Sequence, residues 1–320
     1  MEIKPTSLTG AGPVKLARPG FKLNDRQSRS LFTVLAFTAL TVLLLILLFL
    51  FFEGAALFAG PIEDGTRVSI GDFILGSFWY PGYDPPEFGI LPLITATFSV
   101  TILSALIAVP LGLGTALYLS SVASPKTREL GKPVIELLAA MPSVVLGFVG
   151  MVVVAPLMQE WWDIPSGLNM LNASIMLALM AIPTIASIAE DALGSVPRSL
   201  LEASYALGAT PLQTLMRVQL PSALSGVGAG IILGLTRAMG ETMVVLMCAG
   251  GAAQLTMNPT EAVRPMTSAI AAEMGETAVG SSHYHALFAI GITLFVMTLA
   301  FNIASSYIAK RYGQKGSLAA

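Results

Sequence analysis

Leu31 through Phe52 reads LFTVLAFTALTVLLLILLFLFF, an apolar run that no charged residue interrupts. A run of roughly 20 apolar residues crosses the hydrocarbon core of a bilayer as a helix. No water bonds the backbone there, so the segment must satisfy its own N–H and C=O groups. Working outward, the same reading applies to residues 93–119, 135–158, 171–189, 223–249 and 286–308. The sequence therefore predicts an all-α integral membrane protein with six transmembrane helices. The apolar core of the first run exceeds the usual 7–15 residues of a signal peptide. It is read as an uncleaved anchor, although Ala59 follows small residues. Pro110, Pro142 and Pro183 lie within or near the ends of three spans, where proline marks kinks or broken segments. Gly112, Gly114, Gly147, Gly150, Gly226, Gly228, Gly230 and Gly234 point to close helix packing, the generic small-residue contact of membrane bundles.

Composition agrees. Of 320 residues, 54% are apolar and 11% are charged; soluble domains carry about 25% charged residues. This excludes a disordered chain and leaves too little charge for a water-facing surface. Seventeen basic and nineteen acidic residues nearly cancel, so no overall field points to nucleic acid. The single cysteine, Cys248, excludes an internal disulfide and is read as a small buried apolar residue.

Charge placement orients the spans. Lys4, Lys15, Arg18, Lys22, Arg26 and Arg29 precede the first. Lys126, Arg128 and Lys132 follow the second, Arg198 and Arg217 the fourth, and Lys310, Arg311 and Lys315 the sixth. These fourteen lie on one side; only Arg67 and Arg264 lie on the other. By the positive-inside rule both termini are cytoplasmic. The chain divides into a cytoplasmic segment (1–30), a first helix (31–52), an outer loop (53–90), a five-helix core (91–310) and a tail (311–320). In the outer loops, Trp79, Tyr80, Tyr83, Trp161 and Trp162 are expected at headgroup depth. The stretch 264–276 has apolar residues at helical spacing and predicts a short helix on the outer surface. Glu190 and Asp191 are expected to be solvated. His283-Tyr284-His285 is too sparse for a metal site.

The inner loop 190–222 carries a pattern. Arg198–Leu207 forms a short amphipathic helix in this reading, and Gly208 ends it in the left-handed conformation. Thr210 caps a following turn with Pro211 at its first position, and Pro221 punctuates the start of the fifth span. A partner protein could grip such a helix–glycine–helix unit; an ordinary connector has the same local signals. Glu202-Ala203-Ser204, Gly208-Ala209 and Leu220-Pro221 resemble the EAA loop of ABC importer permeases, with Ser204 replacing the usual second alanine. The resemblance implies a coupling helix, formed by Glu202, Ala203, Ser204, Gly208 and Ala209, that docks on an ATP-binding subunit.

Arg237 and Glu241 fall inside the fifth apolar run, four residues apart and hence on one face of a continuous helix. Each charge costs roughly 2.5–3.5 kcal/mol at mid-membrane on insertion scales. The pair is read either as a self-neutralising salt bridge or as an anion pathway. A guanidinium matches oxyanion geometry. A carboxylate can accept a hydrogen bond from protonated phosphate and leaves sulfate unmatched.

Gly234-Leu235-Thr236-Arg237-Ala238-Met239-Gly240-Glu241-Thr242-Met243 resembles the fifth-helix signature of Pst phosphate-importer permeases. The segments from Glu136 to Val145 and from Ile270 to Glu276 resemble them too, and the resemblance covers about residues 70–310. It implies the type I ABC importer permease fold and a C-type subunit in the bacterial inner membrane. Arg237, Glu241 and Thr242 then line the substrate pathway, with Glu136 a gating candidate. Implied partners are an A-type permease, two ATP-binding subunits and an external phosphate-binding protein. No cofactor belongs to this chain; ATP and Mg²⁺ sit on the partner ATPase. The chain has no Gly-x-x-x-x-Gly-Lys-Ser/Thr loop. An intramembrane hydrolase would need facing aspartates or a nucleophile with a base, and the spans offer neither. A scaffold would have no use for the buried pair. A permease for sulfate, molybdate or phosphonate is the alternative substrate reading.

Overall fold

The computed structural model describes residues 25–60 and 67–317, without the side chains of 25–27 and 308–317. The expected basic residues of 1–24 lie outside the described residues. The chain divides into two compact units, Met1–Phe49 and Leu50–Ala320. Helix α1 (Asp25–Ala59) begins in the first and ends in the second. The described part of the first unit is helical throughout.

The second unit continues with α2 (Ile70–Leu75) and a hairpin of β1 (Trp79–Tyr80) and β2 (Glu87–Phe88), paired antiparallel with Trp79 opposite Phe88. Then follow α3 (Leu91–Leu117), α4 (Pro125–Ala139), α5 (Ser143–Val149), α6 (Ala155–Trp162) and α7 (Met170–Gly194). The chain ends with α8 (Arg198–Ala206), α9 (Pro211–Thr214), α10 (Leu220–Met239), α11 (Met243–Cys248), α12 (Met266–Glu273) and α13 (Ser282–Ser317). Among the described residues, six helical segments are long and apolar enough to cross a bilayer: Ser28–Ala59, Leu91–Val122, Ser143–Trp162, Met170–Gly194, Pro211–Met239 and Ser282–Tyr307.

Six spans were expected and six are found; their limits all shift, and the third and fifth shift most at their starts. The third begins at Ser143, because Pro142 cannot continue α4 and stands as N-cap of α5. The fifth begins at Pro211 and runs through Pro221 without a break. A π-helical turn over Leu215–Gln219 shifts the bonding register just before Pro221, which has no N–H to give. A second π turn, Gly150–Val154, joins α5 to α6.

Helix α7 is the centre of this unit. It packs against α3 and α10, with Ala108, Ala178, Ala181 and Ile185 fully buried between them. Glycine makes this approach possible. A Cβ on Gly234 would meet Ile185 Cγ1 at 2.5 Å, and one on Gly226 would meet Ala192 Cβ at 2.6 Å. Close backbones gain dispersion contact where lipid supplies no hydrophobic drive. Gly114, also expected at a packing face, has open space around it.

On the outer side of the sequence-derived topology, Trp79 is buried beside Phe73, Phe88 and Leu287 rather than at headgroup depth. Its indole Nε1–H donates to both oxygens of Glu273, at 3.2 and 3.1 Å, which explains how a tryptophan is accommodated inside. Trp161, Trp162 and Tyr83 are exposed, and Tyr80 stacks on Tyr83 at 5.0 Å. The expected helix of 264–276 is α12, but Met266–Ala269 are buried, so only its later part faces outward.

Candidate functional site

Two places bring the sequence-derived residues together. The first is the connection between the fourth and fifth spans. Helix α8 ends at Ala206, and Gly208 adopts φ +82°, a left-handed conformation that a side chain would strain. The Gly208 N–H bonds Tyr205 O at 2.9 Å and the Ala209 N–H bonds Ser204 O at 3.2 Å, satisfying the last carbonyls. Thr210 then caps α9: its side chain accepts from Gln213 N, and Gln213 Oε1 accepts from Thr210 N at 3.0 Å. This is the capping box. Ser204 has a structural reason. Its hydroxyl shares a 2.9 Å hydrogen bond with that of Thr214, buried between α8 and α9, so the two arms of the hook are tied. Glu202 and Ala203 face outward, as does Leu207, which is 90% exposed at the tip.

The second place is the end of α10. The helix stops at Met239 with Gly240 as its C-cap, and a new helix begins at Met243. Glu241 and Thr242 therefore lie in a break. Arg237 and Glu241 do not form the helical pair their spacing suggested, because the 3.6-residue register ends between them. Arg237 reaches across to Thr184 Oγ1 of α7 (3.3 Å) and to the carbonyl of Ala139 at the end of α4 (3.4 Å). A guanidinium at a helix C-terminus sits well in the dipole field. Glu241 Oε1 instead accepts from Met243 N at 3.2 Å, and Thr267 of α12 donates to its backbone carbonyl at 2.8 Å. Among the described residues, the hydrogen-bond partners of Arg237 are neutral. Arg237 is exposed in the isolated chain, and Glu241 and Thr242 are partly so. Glu136 is exposed on α4, one turn before Ala139.

Sequence reasoning missed two clusters. Glu190 was expected to be solvated, yet it is 3% exposed. Arg128 of α4 donates to one of its oxygens and Lys132 to the other, at 2.8 Å. Lys132 also reaches Asp191 at 2.5 Å. Hydrogen bonds from Lys132 to Asp191 and Glu190 raise the lysine's pKa, outweighing its modest desolvation. The available signal was Arg128 and Lys132 at i and i+4, a helix face that demands an anionic partner.

The second missed cluster surrounds Glu273. Besides Trp79, it receives Arg264 and lies 2.8 Å from His283 Nε2, so His283 serves a carboxylate contact. Burial pushes the Glu273 carboxyl up. Hydrogen bonds from His283 and Trp79 and the Arg264 charge outweigh this, and hold it below its ordinary value of 4.5. Among the described residues no group of three or more metal-ligating side chains occurs.

The class defined by this geometry is a helical, six-span membrane protein with a capped hook between its fourth and fifth spans. Residues 108–314 match the family model described as "Binding-protein-dependent transport system inner membrane component". A Bacillus subtilis protein named "Probable ABC transporter permease protein YqgH" is 36% identical over 92% of this chain and 94% of its own length. "Phosphate transport system permease protein PstC" of Mesorhizobium japonicum is 32% identical over 84% of this chain and 86% of its own. Its namesake from Haemophilus influenzae is 31% identical over 85% and 88%. A bacterial alginate ABC transporter, solved with a pentasaccharide-bound periplasmic protein, has the same fold at 15% identity. Its TM-score is 0.63, covering 90% of this chain and 97% of that one. The chain belongs to the family of inner-membrane components of binding-protein-dependent transport systems, and its fold is that of ABC importer permeases.

Proposed function

We propose that this chain is the C-type permease subunit of an ATP-driven importer for inorganic phosphate. The observation that carries this reading is Arg237: a guanidinium within a span, exposed in the isolated chain, whose hydrogen-bond partners among the described residues are neutral. Such a cation costs free energy to insert and needs an anionic occupant to offset it. The relatives named as phosphate permeases, which align over most of the chain, make phosphate that occupant.

In this reading Arg237 receives the anion, and Thr242 and Glu241 line its route at the break between α10 and α11. Glu241 has already given one oxygen to Met243 N, leaving the other for a protonated oxyanion. The hook is the coupling element. Exposed Tyr205, Leu207 and Leu212 form apolar tips suited to a cleft in a cytoplasmic ATP-binding subunit. Two such subunits, which hold the ATP and Mg²⁺, drive alternating access when they close. Glu136, beside the α4 terminus that Arg237 touches, is the gating residue of this scheme. A homologous A-type permease completes the pathway, and an external phosphate-binding protein delivers the ion. Both termini of this chain are cytoplasmic.

The test is uptake by the assembled complex in proteoliposomes, with ATP inside and the binding protein outside. Phosphate should accumulate in an ATP-dependent manner. Accumulation of sulfate or molybdate in its place would overturn the substrate reading and leave the fold family intact.

A further inference from the structure

We propose that Thr184 is a second ligand of the translocated oxyanion, supplying a neutral hydroxyl donor beside Arg237. This rests on the pathway reading above and extends it to a residue on a different span. Threonines in membrane helices commonly donate their hydroxyl proton back to a carbonyl one turn earlier. Thr97, Thr101, Thr115, Thr293 and Thr298 all do so, at 2.7–2.9 Å. Thr184 does not. Its oxygen accepts from Arg237 Nη1, and among the described residues its own proton has no acceptor. A hydroxyl carries one donor and two acceptor sites, so the donor remains, together with one acceptor site.

The two partners of Arg237 differ in what they can offer an anion. The Ala139 carbonyl only accepts, and repels a phosphate oxygen. Thr184 can accept from the guanidinium and donate to the anion at once. A tetrahedral oxyanion bridging the guanidinium edge and the Thr184 hydroxyl would therefore gain a neutral donor without disturbing the Arg237–Thr184 bond. Arg237 would exchange only its 3.4 Å contact with Ala139 O. The side chain is placed for this. Thr184 is partly exposed, while its neighbours Pro183 and Ile185 are buried.

The experiment compares ATP-driven uptake of inorganic phosphate by reconstituted complexes carrying wild-type chain, Thr184→Val, Thr184→Ser or Arg237→Gln. Thr184→Val keeps the branched shape and removes the donor, and with it the oxygen that accepts from Arg237 Nη1. Thr184→Ser keeps the donor and removes a methyl group. Uptake should fall about tenfold in Thr184→Val, the loss expected for one hydrogen bond to a charged oxygen. It should stay within about twofold of wild type in Thr184→Ser, with assembly and thermal midpoint unchanged in both. A purely packing role would reverse that order, since valine fills the space better than serine, and would overturn the proposal. Wild-type uptake by Thr184→Val beside an inactive Arg237→Gln overturns the Thr184 assignment alone. Wild-type uptake by Arg237→Gln overturns the pathway reading, and the Thr184 assignment with it.

Discussion

Arg237 and Glu241 are four residues apart in sequence and serve different helices: the arginine binds Thr184 and the end of α4, and the glutamate accepts from the Met243 N–H that opens α11. The C-cap at Gly240 separates them. Two charges with no shared partner should contribute independently.

A double-mutant cycle follows from that separation. Arg237→Gln and Glu241→Gln should have additive effects on the thermal stability of the purified complex, with a coupling energy below about 0.5 kcal/mol. A structural ion pair would couple the two more strongly, and the double variant would recover what either single variant lost. For transport, Arg237→Gln should abolish phosphate uptake, and the neutral double variant should be equally inactive. Near-wild-type uptake by a well-assembled double variant would reject a pathway role for both residues.

The hook makes a separate prediction. Gly208→Asp puts a side chain into the left-handed conformation at φ +82°, at a cost of about 1 kcal/mol to the turn, the low end for L-residues because aspartate tolerates this region. Glu202→Lys reverses a charge on the outward face of α8 without touching the turn. Both should lower transport and ATPase stimulation together by about tenfold, equivalent to ~1.4 kcal/mol at the subunit contact. The permease should still insert. Normal coupling in Glu202→Lys would remove the docking role from that face.

Orientation is measurable with single cysteines. Cys248 is buried, its thiol directed at Gly147 O at 3.4 Å, and serine can keep that bond. In a Cys248→Ser background, a cysteine replacing Val279, which is 85% exposed, should react with impermeant thiol reagents from outside intact cells. A cysteine replacing exposed Ser199 should react only after permeabilisation. Outside labelling at position 199 would invert the topology.

The Glu273 cluster predicts a pH dependence. Because the folded pKa lies below the ordinary value of 4.5, the stabilisation is fully present above that value. It is lost as pH falls through the depressed folded pKa. Trp79, bonded to both carboxylate oxygens, reports it. With Trp161 and Trp162 replaced by phenylalanine, Trp79 fluorescence should show no carboxylate transition at the ordinary value of 4.5 and change only at lower pH, as Glu273 titrates through its depressed pKa. Glu273→Gln should remove that transition. A transition that persists in Glu273→Gln would assign it to another group.

The sequence alone determined the span count, the hook and the presence of a cation within the fifth span. These are properties of short stretches: a 22-residue apolar run, a glycine that accepts positive φ, a Thr-Pro-x-Gln cap. Each is decided by bond geometry and solvation within a few residues of chain. The tertiary structure decided what the charges meet. Glu190 looked solvated because its partners, Arg128 and Lys132, lie some sixty positions earlier, on a helix whose docking no local pattern encodes. His283 sat in a His-x-His too sparse for a metal, and Trp79 looked like a headgroup anchor, until folding brought both to Glu273. The break at Gly240 parted Arg237 from Glu241, and only the packing of α10 and α4 against α7 brought Thr184 and Ala139 to the guanidinium. Desolvation and pairing depend on which surfaces meet across long sequence separations, and those are fixed when the helices pack.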